Sequence, residues 1–374
     1  METISLARGV PAPECVPVEE LAECARAAIR DDGATILSYG AAGGYAPLRR
    51  QIAEEHGVSP QRVVITNGSL QGFALLAQVL AAGGARVLVE APTYDRPLKI
   101  LGGLGAEVVP IRCDEEGIDV DAVEAELSRG VRPAFLYVIP TFQNPTGRTL
   151  SVERRRRLVD LASERDLLVL EDDPYGAVRF EGEAPPTLFE LDGSGRIAYS
   201  SSFSKTVAPG IRVGYLVLPD RLAHAVESTA ASTYITPALL SQATVHEFLR
   251  RGHLERNLEL VRSLLGARRD ALVSALEERL GGSGARWNRP QGGYFLWLDL
   301  PEGRNARALL HAAEQVGVSF VPGSDFYPWA GGGRSSLRLA YSYASPAQLG
   351  EGVRRLAGLL TPAPAVELRQ QHAA

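Results

Sequence analysis

The chain has 374 residues, 45% of them hydrophobic, with 39 basic against 44 acidic side chains and a formal net charge of −5. That length predicts about two domains with a sizeable core, and the mild acidity excludes a general binder of phosphate backbones unless basic residues concentrate locally. The arginine run 154–157 is the one such concentration; continued by Leu158, Val159, Leu161 and Ala162, it reads as the solvated face of a helix, so no nucleic-acid partner is expected. Cys15, Cys24 and Cys113 form no CxxC pair and no metal-ligand spacing, so no metal is expected either. The N-terminus lacks the apolar core of a secretory signal and no stretch is long enough to span a bilayer, so a cytoplasmic protein without a membrane partner is expected.

From about residue 60 to 220, β-type runs alternate with helical patterns. Strands are predicted over 63–66, 86–90, 107–111, 134–139, 167–171, 197–201 and 212–217, with helices over 70–81, 96–104, 119–128 and 152–165. Apolar strands alternating with helices imply an α/β class with a mostly parallel central sheet covered on both faces. The pattern turns helical from 220 to 280. After the break at 281–284, strands recur near 294–298, 318–321 and 337–341, with helices over 306–316 and after Pro346. This predicts a large domain over 40–280 and a smaller α+β domain made of 1–39 and 281–374.

Ligands of open parallel sheets sit beyond the carboxyl ends of the strands, so the polar residues that follow each strand matter most. Gly68 and Ser69 open a helix whose free N–H groups suit an anion; Ser202 and Ser204 add hydroxyls, and Arg212 adds a permanent charge. Each alone has an ordinary reading, a helix cap, turn hydroxyls or a surface charge; together they fit a phosphate. Asp172 emerges from an apolar strand, where a carboxylate is costly unless a cation or donors meet it. Lysine occurs only at Lys99 and Lys205. Amine chemistry must therefore use one of the two. Lys99 lies in a helical segment and reads as a surface residue, whereas Lys205 follows a strand in a Ser-rich loop.

The ordered series GSLQG, APTY, QNPTG, EDDPY, SFSKTVAPGIRVGY and SLRLAYS resembles the class I/II aminotransferases of the fold type I pyridoxal-phosphate enzymes. The likeness is nearest to 2-aminoadipate aminotransferases and to the effector domains of MocR-type regulators. It implies pyridoxal 5′-phosphate as cofactor and transfer of an amino group between an α-amino acid and a 2-oxo acid. Lys205 would carry the cofactor as a Schiff base and shuttle a proton, Asp172 would pair with the ring nitrogen, and Tyr175 and Asn144 would bond the phenolic oxygen. Tyr94 would stack on the ring. Gly68, Ser69 and Leu70, with Ser202, Ser204 and Arg212, would hold the phosphate.

By the same resemblance, Arg338 would grip the substrate carboxylate, Gly9 would approach the substrate, and Tyr39 would reach the neighbouring subunit's phosphate in a homodimer. Arg8 stands where a second glycine is common and is read as pointing to solvent. Elimination, decarboxylation, cyclisation or oxidation on the same scaffold is the rival chemistry. The regulators carry a winged helix-turn-helix ahead of this region and none is read here, so an enzyme is expected.

Overall fold

The protein is described from a computed structural model, over residues 3–360. Fourteen strands appear among them. In chain order, β1 is Ile4–Ser5, β2 Val63–Thr66, β3 Arg86–Ala91, β4 Glu107–Asp114, β5 Gly117–Ile118, β6 Pro133–Val138 and β7 Val169–Asp172. They are followed by β8 Ile197–Ser202, β9 Gly214–Val217, β10 Arg286–Trp287, β11 Phe295–Asp299, β12 Val318–Ser319, β13 Val321–Pro322 and β14 Ser336–Ala340.

Eight of these form the large sheet, in the order β2-β9-β8-β7-β6-β3-β4-β5. The five strands from β8 to β4 are parallel, and β9 runs against both β2 and β8. Alternation decides which face each side chain enters. Val87, Val89, Phe135 and Tyr137 pack with Phe73, Leu76 and Leu101 on one side. Leu88, Leu136 and Val138 pack with Leu158 and Leu161 on the other. Both faces are buried, as near-continuous apolar strands require.

The smaller sheet has the order β10-β11-β14-β13 and is antiparallel throughout. The N-terminus folds back onto this region: β1 runs parallel to β12, with Ile4 opposite Val318. The run predicted as one strand over 318–321 is two, β12 and β13, in different sheets.

The buried clusters group the segments differently from the expected 40–280 and 1–39 plus 281–374 division. Helix Val18–Ile36 buries Cys24, Ala28 and Ile36 with Leu48, Ile52 and Phe248, against the large sheet. Helix His253–Leu280 instead buries Leu265, Leu272, Leu276 and Leu280 with Leu296, Leu298, Leu337 and Val353. The helical pattern over 220–280 identified the second of these but says nothing about which sheet its apolar residues meet, and helix Val18–Ile36 was not read from the sequence.

The arginine run departs from its expected solvated face at one position. Arg154 and Arg157 pair with surface acids, Asp114 and Asp121, but Arg155 is fully buried. Its guanidinium donates to the carbonyls of Leu150 (2.9 Å), Pro140 (2.7 Å) and Pro186 (3.2 Å) and to the Thr141 hydroxyl (2.8 Å). It lies 3.8 Å from Glu171, itself fully buried. The fork of donors fits a set of loop carbonyls that no sequence pattern announces. Arg155→Met is expected to destabilise the fold by about 3–5 kcal/mol in urea denaturation, by removing the cation beside Glu171 and leaving the loop carbonyls of Leu150, Pro140 and Pro186 without this donor. Arg156→Met, exposed on the same helix, is expected to stay within about 0.5 kcal/mol.

Candidate active site

β2 and β8 each pair with β9 through Gly214, which stands opposite Thr66 on one side and Ser202 on the other. The register therefore brings the carboxyl ends of both strands to the start of β9. A Cβ on Gly214 would come within 2.5 Å of the Ser69 nitrogen, so glycine is required for this approach. The strand predicted from 212 starts two residues later, because Arg212 takes a left-handed conformation (φ 51°).

A cleft of ≈ 320 Å³ opens at this edge, near the lower bound of roughly 300–1,000 Å³ usual for small-molecule sites. It is lined by Gly9, Gly68, Ser69, Leu70, Tyr94, Asn144, Asp172, Tyr175, Ser202, Ser204, Lys205, Arg212 and Arg338. These are all the residues singled out from the sequence except Tyr39, which is 83% exposed and lies outside the cleft. Lys99 is on the surface, paired with Asp95 at 2.9 Å.

One end of the cleft is an anion cradle. Helix Ser69–Leu80 starts at Gly68 with no side-chain cap, and its first N–H groups have no acceptor within the helix. Gly68 has φ +89°, and a Cβ there would meet the Arg212 guanidinium at 2.4 Å. Arg212 donates to the carbonyls of Asn67 (2.9 Å) and Pro209 (3.3 Å) and to the Ser204 hydroxyl (3.3 Å). Ser202 donates to Ser204 at 3.0 Å.

Deeper in, Asp172 is buried at the end of β7. Tyr137 donates to its Oδ2 at 2.8 Å, while Oδ1 has no partner. Burial pushes this carboxyl up to about 6, against the lowering effects of the Tyr137 hydrogen bond and the nearby Ser200 hydroxyl.

Lys205 Nζ donates to the Gly9 carbonyl at 3.0 Å and lies 5.2 Å from the Tyr294 ring centre. Burial, then the positive charges of Arg338 and Arg212, push its amine down to about 8. Arg338 projects from β14 between Phe295 (4.1 Å) and Phe326 (5.0 Å). It donates to Asn144 Oδ1 (2.8 Å) and the Ala7 carbonyl (3.0 Å), and its Nε has no partner. Among the described residues neither Arg338 nor Arg212 is paired with a carboxylate.

Several contributors were not read from the sequence. The N-terminal strap uses the alternation of an extended chain. Carbonyls of Leu6 and Val10 accept from Ala340 and Ser342, holding the strap to the small sheet. Those of Ala7 and Gly9 turn the other way, onto the two cations. Phe295 stacks beneath Arg338, and a Cβ on Gly9 would overlap it at 2.4 Å. Tyr137 had a usable signal, a phenol within an apolar strand that needs a partner. Arg8 is exposed, as expected, with its guanidinium over the Tyr343 ring at 4.1 Å.

The family model described as aminotransferase class I and II matches residues 4–356. The chain belongs to this family. It is an enzyme that transfers amino groups between amino and 2-oxo acids with pyridoxal 5′-phosphate as cofactor. It is 41% identical over 357 residues to a 2-aminoadipate transaminase of Thermus thermophilus, covering 94% of this chain and 89% of that one. It is 35% identical to an aromatic-amino-acid aminotransferase of Thermococcus litoralis, over 95% of this chain and 87% of the relative. The crystal structure of an alpha-aminoadipate aminotransferase from Thermus thermophilus, complexed with N-(5′-phosphopyridoxyl)-L-leucine, superposes with a TM-score of 0.91. It shares 39% identity, with 96% of this chain and 92% of that one covered.

The cleft fits such an aminotransferase cofactor on its own chemistry. It has a buried carboxylate oxygen open to a cationic N–H, an amine held partly neutral, and a glycine-bounded cradle for a phosphate.

Proposed function

We propose that Lys205 is the residue that binds the cofactor covalently and moves the α-proton of an amino acid, and that Asp172 meets the ring nitrogen. In this reading Gly68, Ser69, Leu70, Ser202, Ser204 and Arg212 hold the phosphate. Tyr94 stacks on the ring, Tyr175 and Asn144 bond its phenolic oxygen, and Arg338 takes the substrate α-carboxylate beside Gly9. The observation that carries it is the unpartnered Oδ1 of Asp172 lining the same cleft as one of only two lysines.

Bound pyridoxal phosphate supplies an electrophilic carbon for amines and a ring that accepts electrons as the α-proton leaves. The remaining work belongs to the chain. With its pKa at about 8, the Lys205 amine is neutral in roughly a tenth of molecules at pH 7, enough to accept a proton. Arg338, fixed between two phenylalanine rings, orients a carboxylate by its fork of donors, which sets the α-carbon relative to that amine. Asp172, mostly ionised at pH 7, favours a protonated ring nitrogen.

The working unit in this proposal is a cytoplasmic homodimer with shared sites. Exposed Tyr39, Leu37 and Ile235 support a covered apolar face. The hydrogen bonds between Gly40 and Thr236 tie their two segments together. Tyr39 then reaches the phosphate of the partner's cofactor. The free thiols Cys15, Cys24 and Cys113 suit a reducing compartment. The donors of the relatives, 2-aminoadipate and aromatic amino acids, are the first to assay.

Borohydride reduction of the loaded enzyme, followed by peptide mapping, is expected to label Lys205. Lys205→Ala should lose the label and Lys99→Ala should keep it; label on Lys99 would overturn the assignment. Capture of pyridoxal phosphate by the cofactor-free chain needs the neutral amine, so its rate should rise with pH around a midpoint near 8. Arg338→Met removes a cation that disfavours the protonated lysine, so the midpoint should move upward in stopped-flow absorbance. A wild-type midpoint at the ordinary 10.5 would sink the reading. Mixing inactive Lys205→Ala chains with impaired Tyr39→Ala chains should restore roughly a quarter of wild-type activity, from hybrids with one intact shared site. No recovery on subunit exchange would place Tyr39 in its own subunit's chemistry.

A further inference from the structure

Glu90 lies near the end of β3, a strand flanked by β6 and β4, and is 2% exposed. It does not line the cleft. Among the described residues no lysine, arginine or histidine is ion-paired with it. An apolar side chain of similar size would serve packing at least as well, because a buried carboxyl without a counter-charge costs stability. What sets Glu90 apart is what it holds.

Its Oε2 accepts from the backbone N–H of Ile139 at 2.9 Å and from Gln143 Nε2 at 3.3 Å. One oxygen thus fastens two points of the loop that leaves β6. Gln143 is saturated in turn. Its Nε2 also donates to the Pro92 carbonyl at 2.7 Å, and its Oε1 accepts from the N–H and hydroxyl of Thr146 at 2.9 and 2.8 Å. Any rotation of the Gln143 amide breaks this set. The next residue is Asn144, whose Oδ1 accepts from Arg338 Nη1 at 2.8 Å.

We propose that Glu90 is a positioning residue for substrate-carboxylate recognition, acting through Gln143 to fix Asn144 against Arg338. The proposal rests on the roles given above to Asn144 and Arg338. Burial pushes the Glu90 carboxyl up to about 8, so a neutral carboxyl, which glutamine imitates in shape and acceptor capacity, is well populated near pH 7.

The test uses steady-state kinetics of the holoenzyme. Glu90→Gln keeps an acceptor for Ile139 and Gln143, and its KM for the amino donor should stay within about twofold of wild type. Glu90→Leu should raise that KM about tenfold with a smaller change in kcat and the cofactor absorbance retained. In an Asn144→Ala background, Glu90→Leu should add less than about twofold, because the residue it acts through is gone.

A wild-type KM in Glu90→Leu, with a raised KM in Asn144→Ala, overturns the Glu90 proposal alone. An unchanged KM in Asn144→Ala overturns the underlying reading of Asn144. The same fold-change in both backgrounds marks a merely structural role and also overturns the proposal. If Glu90→Leu does not fold, Gln143→Met cuts the same link from the loop side. A KM about tenfold higher there supports the link, and an unchanged KM removes it.

Discussion

An ionised carboxylate taken out of water costs several kcal/mol unless donors or a cation meet it. Asp172 accepts from Tyr137 at one of its two oxygens and leaves the other uncommitted, with the nearby Ser200 hydroxyl also favouring its charged form. Its neighbours at the strand ends share the problem and resolve it differently. Burial pushes Glu90 and Glu171 up to about 8, so near pH 7 both hold a proton much of the time. Glu90 accepts through one oxygen from Ile139 and Gln143, and Glu171 accepts from Leu188 and Phe189 with Arg155 3.8 Å away. Asp172, at about 6, is the acid that keeps its charge at pH 7 with an oxygen uncommitted. It is also the one of the three that lines the cleft. The sheet edge therefore concentrates one usable negative charge among acids that serve as hydrogen-bonding groups. In the proposed reading, the lysine and the glycine-bounded helix start around it are arranged for a cationic ring meeting that charge.

Much of this was legible in the residues because strand ends in a parallel sheet share an edge. Once 63–66, 134–139, 167–171 and 197–201 read as strands, Ser69, Asn144, Asp172 and Lys205 had to come together, and the series of motifs named the chemistry. Polar groups acting through the interior were not legible. Arg155 sits in a run that looks solvated, and only the loop carbonyls it meets explain its burial. Helix Val18–Ile36 was not read at all, and the helical spacing that revealed His253–Leu280 does not say which sheet its apolar residues cover. Phe295 beneath Arg338 depends on pairing between β11 and β14, a contact between distant segments. The left-handed turn at Arg212 and the approach of Gly214 to Ser69 appear only when β2, β8 and β9 lie side by side.

The arginines of the cleft show how charge is kept available. On the surface, Arg154, Arg157 and Arg354 sit on carboxylates of Asp114, Asp121 and Glu351. Arg212 and Arg338 donate to carbonyls, a hydroxyl and an amide oxygen. Neutral acceptors orient a guanidinium without cancelling its charge, so both remain able to attract an anion. The alternating carbonyls of the strap achieve this with little chain, since one extended segment supplies an acceptor to Arg338 and, two residues on, to Lys205. The uncancelled charge has a second effect. Arg338 and Arg212 both disfavour protonation of Lys205, which together with burial brings its amine down to about 8. In the proposed arrangement, a carboxylate docking on Arg338 would offset one of those cations and raise the proton affinity of the lysine. If Arg338 and Lys205 take the roles proposed for them, this arginine would couple substrate arrival to the strength of the base.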